Sequence, residues 1–144
     1  MQLRYSTAMM PSPDPTIRIA AALLCRPGGH TLLVRKRGTS AFMQPGGKIE
    51  TGEAPLAALL RELREELSLA VMPSQARYLG CFRAPAAHEP GWTVEAEIFR
   101  IDIDADVQPA AEIEELVWIA PSAASALVLA PLTRDHVLPL HAVP

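Results

Sequence analysis

Five leucines, Leu56, Leu59, Leu60, Leu63 and Leu67, recur at spacings of three and four residues. That interval stacks side chains on one face of an α-helix. The stripe predicts a helix over Glu53 to Leu67, with Pro55 in the first turn, where a missing N–H costs nothing. A helix with one apolar face must bury it against another layer, so the chain is committed to a layered fold. The same helix carries Glu62, Glu65 and Glu66 at i, i+3 and i+4. At roughly 100° per residue they share one patch, within about 6 Å of rise. Like charges so placed repel by a few tenths of a kcal/mol per pair. Taken alone, they read as a solvated acidic face softened by Arg61 and Arg64. A second reading is that they hold a hard cation, since carboxylate oxygens suit magnesium or manganese.

The flanking chain reads as strands. Thr16 to Cys25 alternates Ile17, Ile19, Ala21 and Leu23 and predicts a strand. Pro27-Gly28-Gly29-His30 signals a turn, which makes Thr31 to Arg35 its expected hairpin partner. A polar loop over 37–45 leads to Gly46-Gly47, a pair that permits backbone geometries closed to other residues. A short strand, Lys48 to Glu50, precedes the helix. Tyr78 to Arg83, Thr93 to Ile103 and Glu115 to Ile119 are further expected strands. Ser122 to Leu129 predicts a short helix, and Leu132 to Leu140 a last short helix or extended tail broken by Pro139. This order predicts an α+β fold: a mixed β-sheet flanked by helices, in an α/β/α sandwich.

A chain of 144 residues is most simply one domain. The expected division is a Pro-rich, mobile leader over 1–15 and a single domain over 16–144. The net charge of −3 gives no electrostatic footprint for nucleic acid or an anionic membrane. No apolar run reaches membrane-spanning length, and no charged n-region precedes an apolar h-region at the N-terminus. A cytoplasmic location is the resulting expectation. Cys25 and Cys81 stand apart in strand-like runs, as buried free thiols of a reducing compartment do. Asp102, Asp104 and Asp106 lack the Gly and Glu that a calcium loop requires downstream.

The glycine pair and the acidic helix form one gapped pattern. Gly47 is followed after five residues by Glu53, then after seven by Arg61-Glu62-Leu63, with Glu65, Glu66 and Leu69 beyond. This resembles the Nudix box, G-x5-E-x7-R-E-U-x-E-E-x-G-U with U aliphatic, at eight of nine specified positions. The exception is Ser68, where the family has glycine, the residue suited to a left-handed helix cap. The box spans 23 of the 144 residues. The resemblance is MutT-like, with no subfamily assigned.

The resemblance implies hydrolysis of a phosphoanhydride bond in a nucleoside diphosphate linked to another moiety, with Mg2+ or Mn2+ as cofactor. It implies metal ligation by Glu62, Glu65 and Glu66, with the carbonyl of Gly46 and a water-bridged Glu53 as further ligands. Arg61 is then an orienting partner of Glu53. Glu65 or Glu66 is the general base, or else an acidic residue before a late strand, with Glu112 the first choice over Glu114 and Glu115. Arg35 and Arg37 are candidate phosphate contacts. Phe42 is a candidate stacking surface, as are Tyr78, Phe82 and Trp92, with core packing the alternative for each. The chain contains no asparagine, which counts against base reading of the mutator type. Pro85 is a weak hint of the ADP-ribose branch. The expected partner is a small-molecule nucleotide, with no nucleic acid and no membrane, and a homodimer is left open. The alternative function is a non-catalytic Nudix module that binds a nucleotide or a partner protein.

Overall fold

The computed structural model describes residues 15–142. Most of the expected leader therefore lies outside the described residues. Its last residue, Pro15, accepts a hydrogen bond from the Thr93 N–H at 2.8 Å.

One strand organises the sheet. β1 (Thr16–Cys25) runs parallel to β6 (Thr93–Asp102) over its whole length, from Thr16 opposite Thr93 to Cys25 opposite Asp102. Its other edge is shared. The first half pairs antiparallel with β4 (Gly46–Lys48), Ala20 opposite Gly47 and Ala21 opposite Gly46. Only at Cys25, opposite Thr31, does it meet β2 (Thr31–Lys36). The expected hairpin therefore closes at its turn and then splays, because β4 takes the edge that β2 would have used. β2 turns instead to β7 (Ile113–Ile119) and to the two-residue β3 (Phe42–Met43). β5 (Ala76–Pro85) pairs with β6 on the far side. The expected short strand at 48–50 begins two residues earlier, at the glycine pair itself.

β1 is apolar without a break from Ala20 to Cys25 because both of its faces are covered, the usual state of a central strand. Ala20, Ala22 and Leu24 face α1 (Pro55–Leu67) and its Leu59, Leu63 and Leu67. Ala21, Leu23 and Cys25 face Leu132 and Val137 of a C-terminal helical run. The sheet thus lies between two helical layers, as expected. Leu59, Leu63 and Leu67 are completely buried, each contributing about 1.5–3 kcal/mol. That outweighs the few tenths per pair by which the glutamates repel, so the apolar stripe decides that the helix forms.

The C-terminal half departs from expectation in detail. The Ala-rich segment is a 3-10 stretch, Pro121–Ala126, after which the backbone runs beside β3: Phe42 N–H donates to the Val128 carbonyl and Ala130 N–H to that of Phe42. The last run stays helical through Pro139, which falls in the first turn of the segment Leu138–Ala142, where no N–H is required. Cys25 is buried, but Cys81 is exposed, because β5 is an edge strand covered on one face only. No described helix is long and apolar enough to cross a membrane.

α1 ends on Ser68 in the left-handed conformation, φ 53° and ψ 34°. Its N–H donates to the Arg64 carbonyl and that of Leu69 to Leu63, a glycine-type cap built on serine. Replacing Ser68 with Gly removes a Cβ penalty on the order of 1 kcal/mol. Urea denaturation of Ser68→Gly is expected to show equal or higher stability by up to about that amount; a clear loss would contradict this account of the cap.

Candidate active site

The site forms where α1 passes over the β4 glycines. β4 is drawn against β1 so closely that a side chain at Gly46 would stand 2.3 Å from the Ala20 carbonyl oxygen. Gly46 also adopts φ +148°, a region that favours glycine. At Gly47 the obstruction comes from the helix: a Cβ there would lie 2.2 Å from Glu62 Oε1. The two glycines thus do different jobs. The first admits the strand pairing, and the second admits a carboxylate.

Arg61 holds the acidic groups apart and in place. Its Nε and Nη2 donate to both oxygens of Glu53, each at 2.8 Å, the fork geometry only arginine supplies. Nη1 donates to Glu62 at 3.2 Å and lies 3.6 Å from Glu65, while Nη2 also reaches the Lys48 carbonyl at 3.2 Å. One guanidinium therefore ties the loop after β4 to the helix and lies within 4 Å of four carboxylates, those of Glu50, Glu53, Glu62 and Glu65. It holds the Glu53 carboxyl well below the usual range, at about 2, helped by the Glu50 N–H. As the side chains stand, no three acidic, histidine or cysteine groups among the described residues converge as a ready-made metal cluster. Arg61 occupies the space between Glu53, Glu62 and Glu65, and Glu66 turns away toward Gly46.

Glu66 is 3% exposed. Its Oε1 accepts the Gly46 N–H at 3.4 Å, while Oε2 is buried without a hydrogen-bond partner among the described residues. Burial, then the charge of Glu62, pushes its carboxyl up to about 7. Glu62 is raised as well, chiefly by burial. An unpartnered buried carboxylate oxygen is costly and marks a place where a cation would be favourable.

Glu112 reaches the same region by a different route. The loop after β6 is pinned to the end of α1: Gln108 N–H donates to the Leu67 carbonyl at 3.0 Å and Ala110 N–H to that of Glu66 at 2.9 Å. Glu112 follows at once, its carboxylate 3.1 Å from Lys36 Nζ. Lys36 is the residue the sequence analysis passed over. Along β2 it shares the face of Leu32 and Val34, the α1 side, and its charge acts on both Glu62 and Glu66. Period-two alternation along β2 is the signal that finds it. Arg35 and Arg37 point to the other face. Arg35 binds Glu115 at 2.9 Å and the Thr39 carbonyl, and Arg37 lies 3.5 Å from Glu114. Phe42, a candidate stacking surface with core packing the alternative, takes the packing role: it is 8% exposed and packs with Leu33 and Ala124, since β3 is tucked between β2 and the 128–130 segment.

A cleft of about 110 Å³ opens beside the glycines, lined by Lys36, Gly46, Gly47, Lys48, His88 and Glu89 among others. Through Ile19, Met43, Gln44 and Val94 it continues into a smaller apolar hollow that ends at Ala130 and Leu132. Tyr78, Phe82 and Trp92 do not line either part.

Comparison with known proteins agrees with this architecture. Residues 15–140 match the NUDIX domain, and the chain belongs to the Nudix family. The MutT protein from Methanosarcina mazei superposes with a TM-score of 0.74 at 21% identity, over 91% of this chain and 96% of that one. The E. coli ORF135 protein gives 0.69 at 28% identity, over 91% and 96%. An octanoyltransferase from Myxococcus xanthus is 35% identical over 113 residues, 76% of this chain but 31% of that protein. An RNA pyrophosphohydrolase from Halorhodospira halophila is 44% identical over 55 residues, 38% of this chain and 29% of that protein. The chain thus spans about a third or less of the length of the curated relatives it matches.

Two expectations follow from the geometry. Gly46→Ala places a Cβ into backbone and is expected to cost about 2–4 kcal/mol in urea denaturation. Gly47→Ala meets only a side chain and is expected to cost less than half as much; equal losses would contradict the division of roles.

The second concerns pH. In the unfolded chain Glu66 titrates near 4.5, and in the fold near 7, so the folded state holds its proton more tightly. Its contribution is complete below 4.5 and is lost as pH rises through 7. Glu53 acts in the opposite sense, losing its contribution only as pH falls from 4.5 toward 2, so the windows do not overlap. For chelator-treated protein, stability of the native chain relative to Glu66→Gln is expected to fall between about pH 5 and 8. A flat difference curve would show that Glu66 does not carry the shifted titration.

Proposed function

We propose that this chain hydrolyses a phosphoanhydride bond in a nucleoside diphosphate linked to another moiety, nucleoside triphosphates included. A divalent cation, Mg2+ or Mn2+, would be held by Glu62, Glu65 and Glu66, with the Gly46 carbonyl and Glu53 as further oxygen donors. The observation that carries this reading is the buried Oε2 of Glu66, which has no hydrogen-bond partner beside the glycine pair. The donor set consists of hard oxygens alone, the chemistry that suits these ions. A cation bound there supplies neutralisation of phosphoryl charge and a more acidic water.

The chain's own groups account for the rest. Arg61 holds Glu53, Glu62 and Glu65 on one patch, and its guanidinium would move aside as a cation enters between them. Lys36 and Lys48 line the cleft at the glycine end, where a polyphosphate would lie. Water attacks phosphorus, its proton passes to a carboxylate, and the bridging oxygen leaves with the bond's electron pair. Glu65, more than half exposed, and Glu112, pinned beside Lys36, are the carboxylates placed to accept that proton.

The test is a panel of nucleoside triphosphates, ADP-ribose, dinucleoside polyphosphates and nucleotide sugars, with phosphate or pyrophosphate release measured in Mg2+. Because two curated relatives are named RNA pyrophosphohydrolase, a 5′-triphosphorylated oligonucleotide belongs on it. Glu65→Gln and Glu66→Gln are each expected to lower kcat by roughly 100-fold or more with the fold intact. Gly47→Ala, which displaces the Glu62 carboxylate, is expected to remain folded and lose turnover. Turnover indifferent to Glu65→Gln, or none on any compound, would leave the non-catalytic binding module as the better account.

A further inference from the structure

Arg61 stands on the oxygens that the divalent ion of the reading above would use. Its side chain has two arms with different attachments. The Nε and Nη2 arm grips both oxygens of Glu53, each at 2.8 Å, two aligned charge-assisted bonds of the stronger kind. The Nη1 arm lies 3.2 Å from Glu62 and 3.6 Å from Glu65, longer and partly exposed contacts that hold weakly. Glu62 and Glu65 do not owe their positions to that arm. Both are rooted on α1, whose Leu59, Leu63 and Leu67 are completely buried, and the Glu62 carboxylate also abuts Gly47. Glu53 differs, because it sits on the loop before the helix and the fork is what ties it down.

We propose that Arg61 is the resident counter-ion of the metal-free site, and that its Nη1 arm opposes cation binding rather than assisting it. A guanidinium offers no lone pair to a metal, and its charge repels a divalent ion placed on the same oxygens. The oxygens of Glu62 and Glu65 become available only as Nη1 withdraws. The fork on Glu53 has no such conflict and stays closed, since each Glu53 oxygen keeps a lone pair beyond the one the fork uses. The loop therefore remains tied to the helix in both states. Arg61 is a positioning residue toward Glu53 and a competitor toward Glu62 and Glu65. The inference rests on the metal-dependent reading above, and it says how the chain keeps its acidic patch together before metal arrives.

The test uses Mn2+ alone on the whole chain, with free Mn2+ counted by electron paramagnetic resonance and no substrate present. Arg61→Gln is expected to bind Mn2+ roughly fivefold more tightly than the native chain, as when two partly exposed ion pairs no longer have to break. Freed of metal, the same variant is expected to unfold at lower urea, and saturating Mn2+ to narrow that gap. A merely structural role would lower stability without tightening the metal. Arg64→Gln removes the same charge from an exposed side chain one turn on and is expected to change affinity by less than about twofold. On the native chain, arginine side-chain 15N spectra are followed through a Mg2+ titration, so no variant need fold. The Arg61 Nε–H is expected to stay hydrogen-bonded while the Nη1 hydrogens pass to solvent. Mn2+ bound equally or more weakly by Arg61→Gln, an equal gain in Arg64→Gln, or Nη1 signals unmoved by Mg2+ overturns the assignment and leaves turnover to decide the enzyme reading. The expected gain with no compound hydrolysed by the native chain overturns the enzyme reading and leaves the assignment standing. No Mn2+ bound by the native chain overturns both.

Discussion

The arrangement of the site depends on one guanidinium. Three glutamates on adjacent turns of α1, with Glu53 nearby, would push the loop and the helix apart if left to themselves. Arg61 lies between them with two 2.8 Å bonds to Glu53 and weaker contacts to Glu62 and Glu65. The pairing is partly exposed, so solvent screens it and its direct contribution to stability is modest. Its structural effect is larger. It fixes the loop after β4 at the distance where Gly47 and the Glu62 carboxylate touch, and that contact admits no side chain on the strand. The glycine, the arginine and the glutamate are therefore one device, which is why their spacing in the chain is so specific.

Glu66 is the group that Arg61 does not reach. It sits deeper, under the helix, and among the described residues its carboxylate accepts one hydrogen bond, from Gly46 at 3.4 Å. The fold tolerates this because the leucines around it bury far more favourable surface than one carboxylate costs. The result is a carboxyl that burial and the charge of Glu62 hold protonated up to about pH 7. A protein that kept this residue for stability alone would be better served by an apolar side chain of the same volume.

How much of this was legible in the chain follows from distance along it. The helix, its cap on Ser68 and the glycine–glutamate–arginine pattern are local, lying within 23 residues, and each has a periodic or steric signature. The strands were legible by alternation, but their partners were not. β2 was expected beside β1, yet β4, displaced by two residues, occupies that edge. Phe42 was left between stacking and core packing because its two-residue strand is set by pairing to 128–130, more than eighty residues away. Lys36 was overlooked because both faces of β2 are apolar, so alternation alone did not reveal which face meets the helix.

β1 explains why the two sides of the sheet are read so unequally. Its even residues face α1 and the carboxylates, its odd residues the C-terminal helical run and the apolar hollow. The carboxylate side is made by elements close in sequence, and a spacing rule can describe it. The other side joins Gln44 to Thr133 across 89 residues, through β3 and the 128–130 segment that it pairs with. A change in the length of that C-terminal segment would move Thr133 off Gln44 without touching the box. One strand with two buried faces thus keeps the two sides of the sheet mechanically apart, so one side can vary in length while the box on the other stays the same.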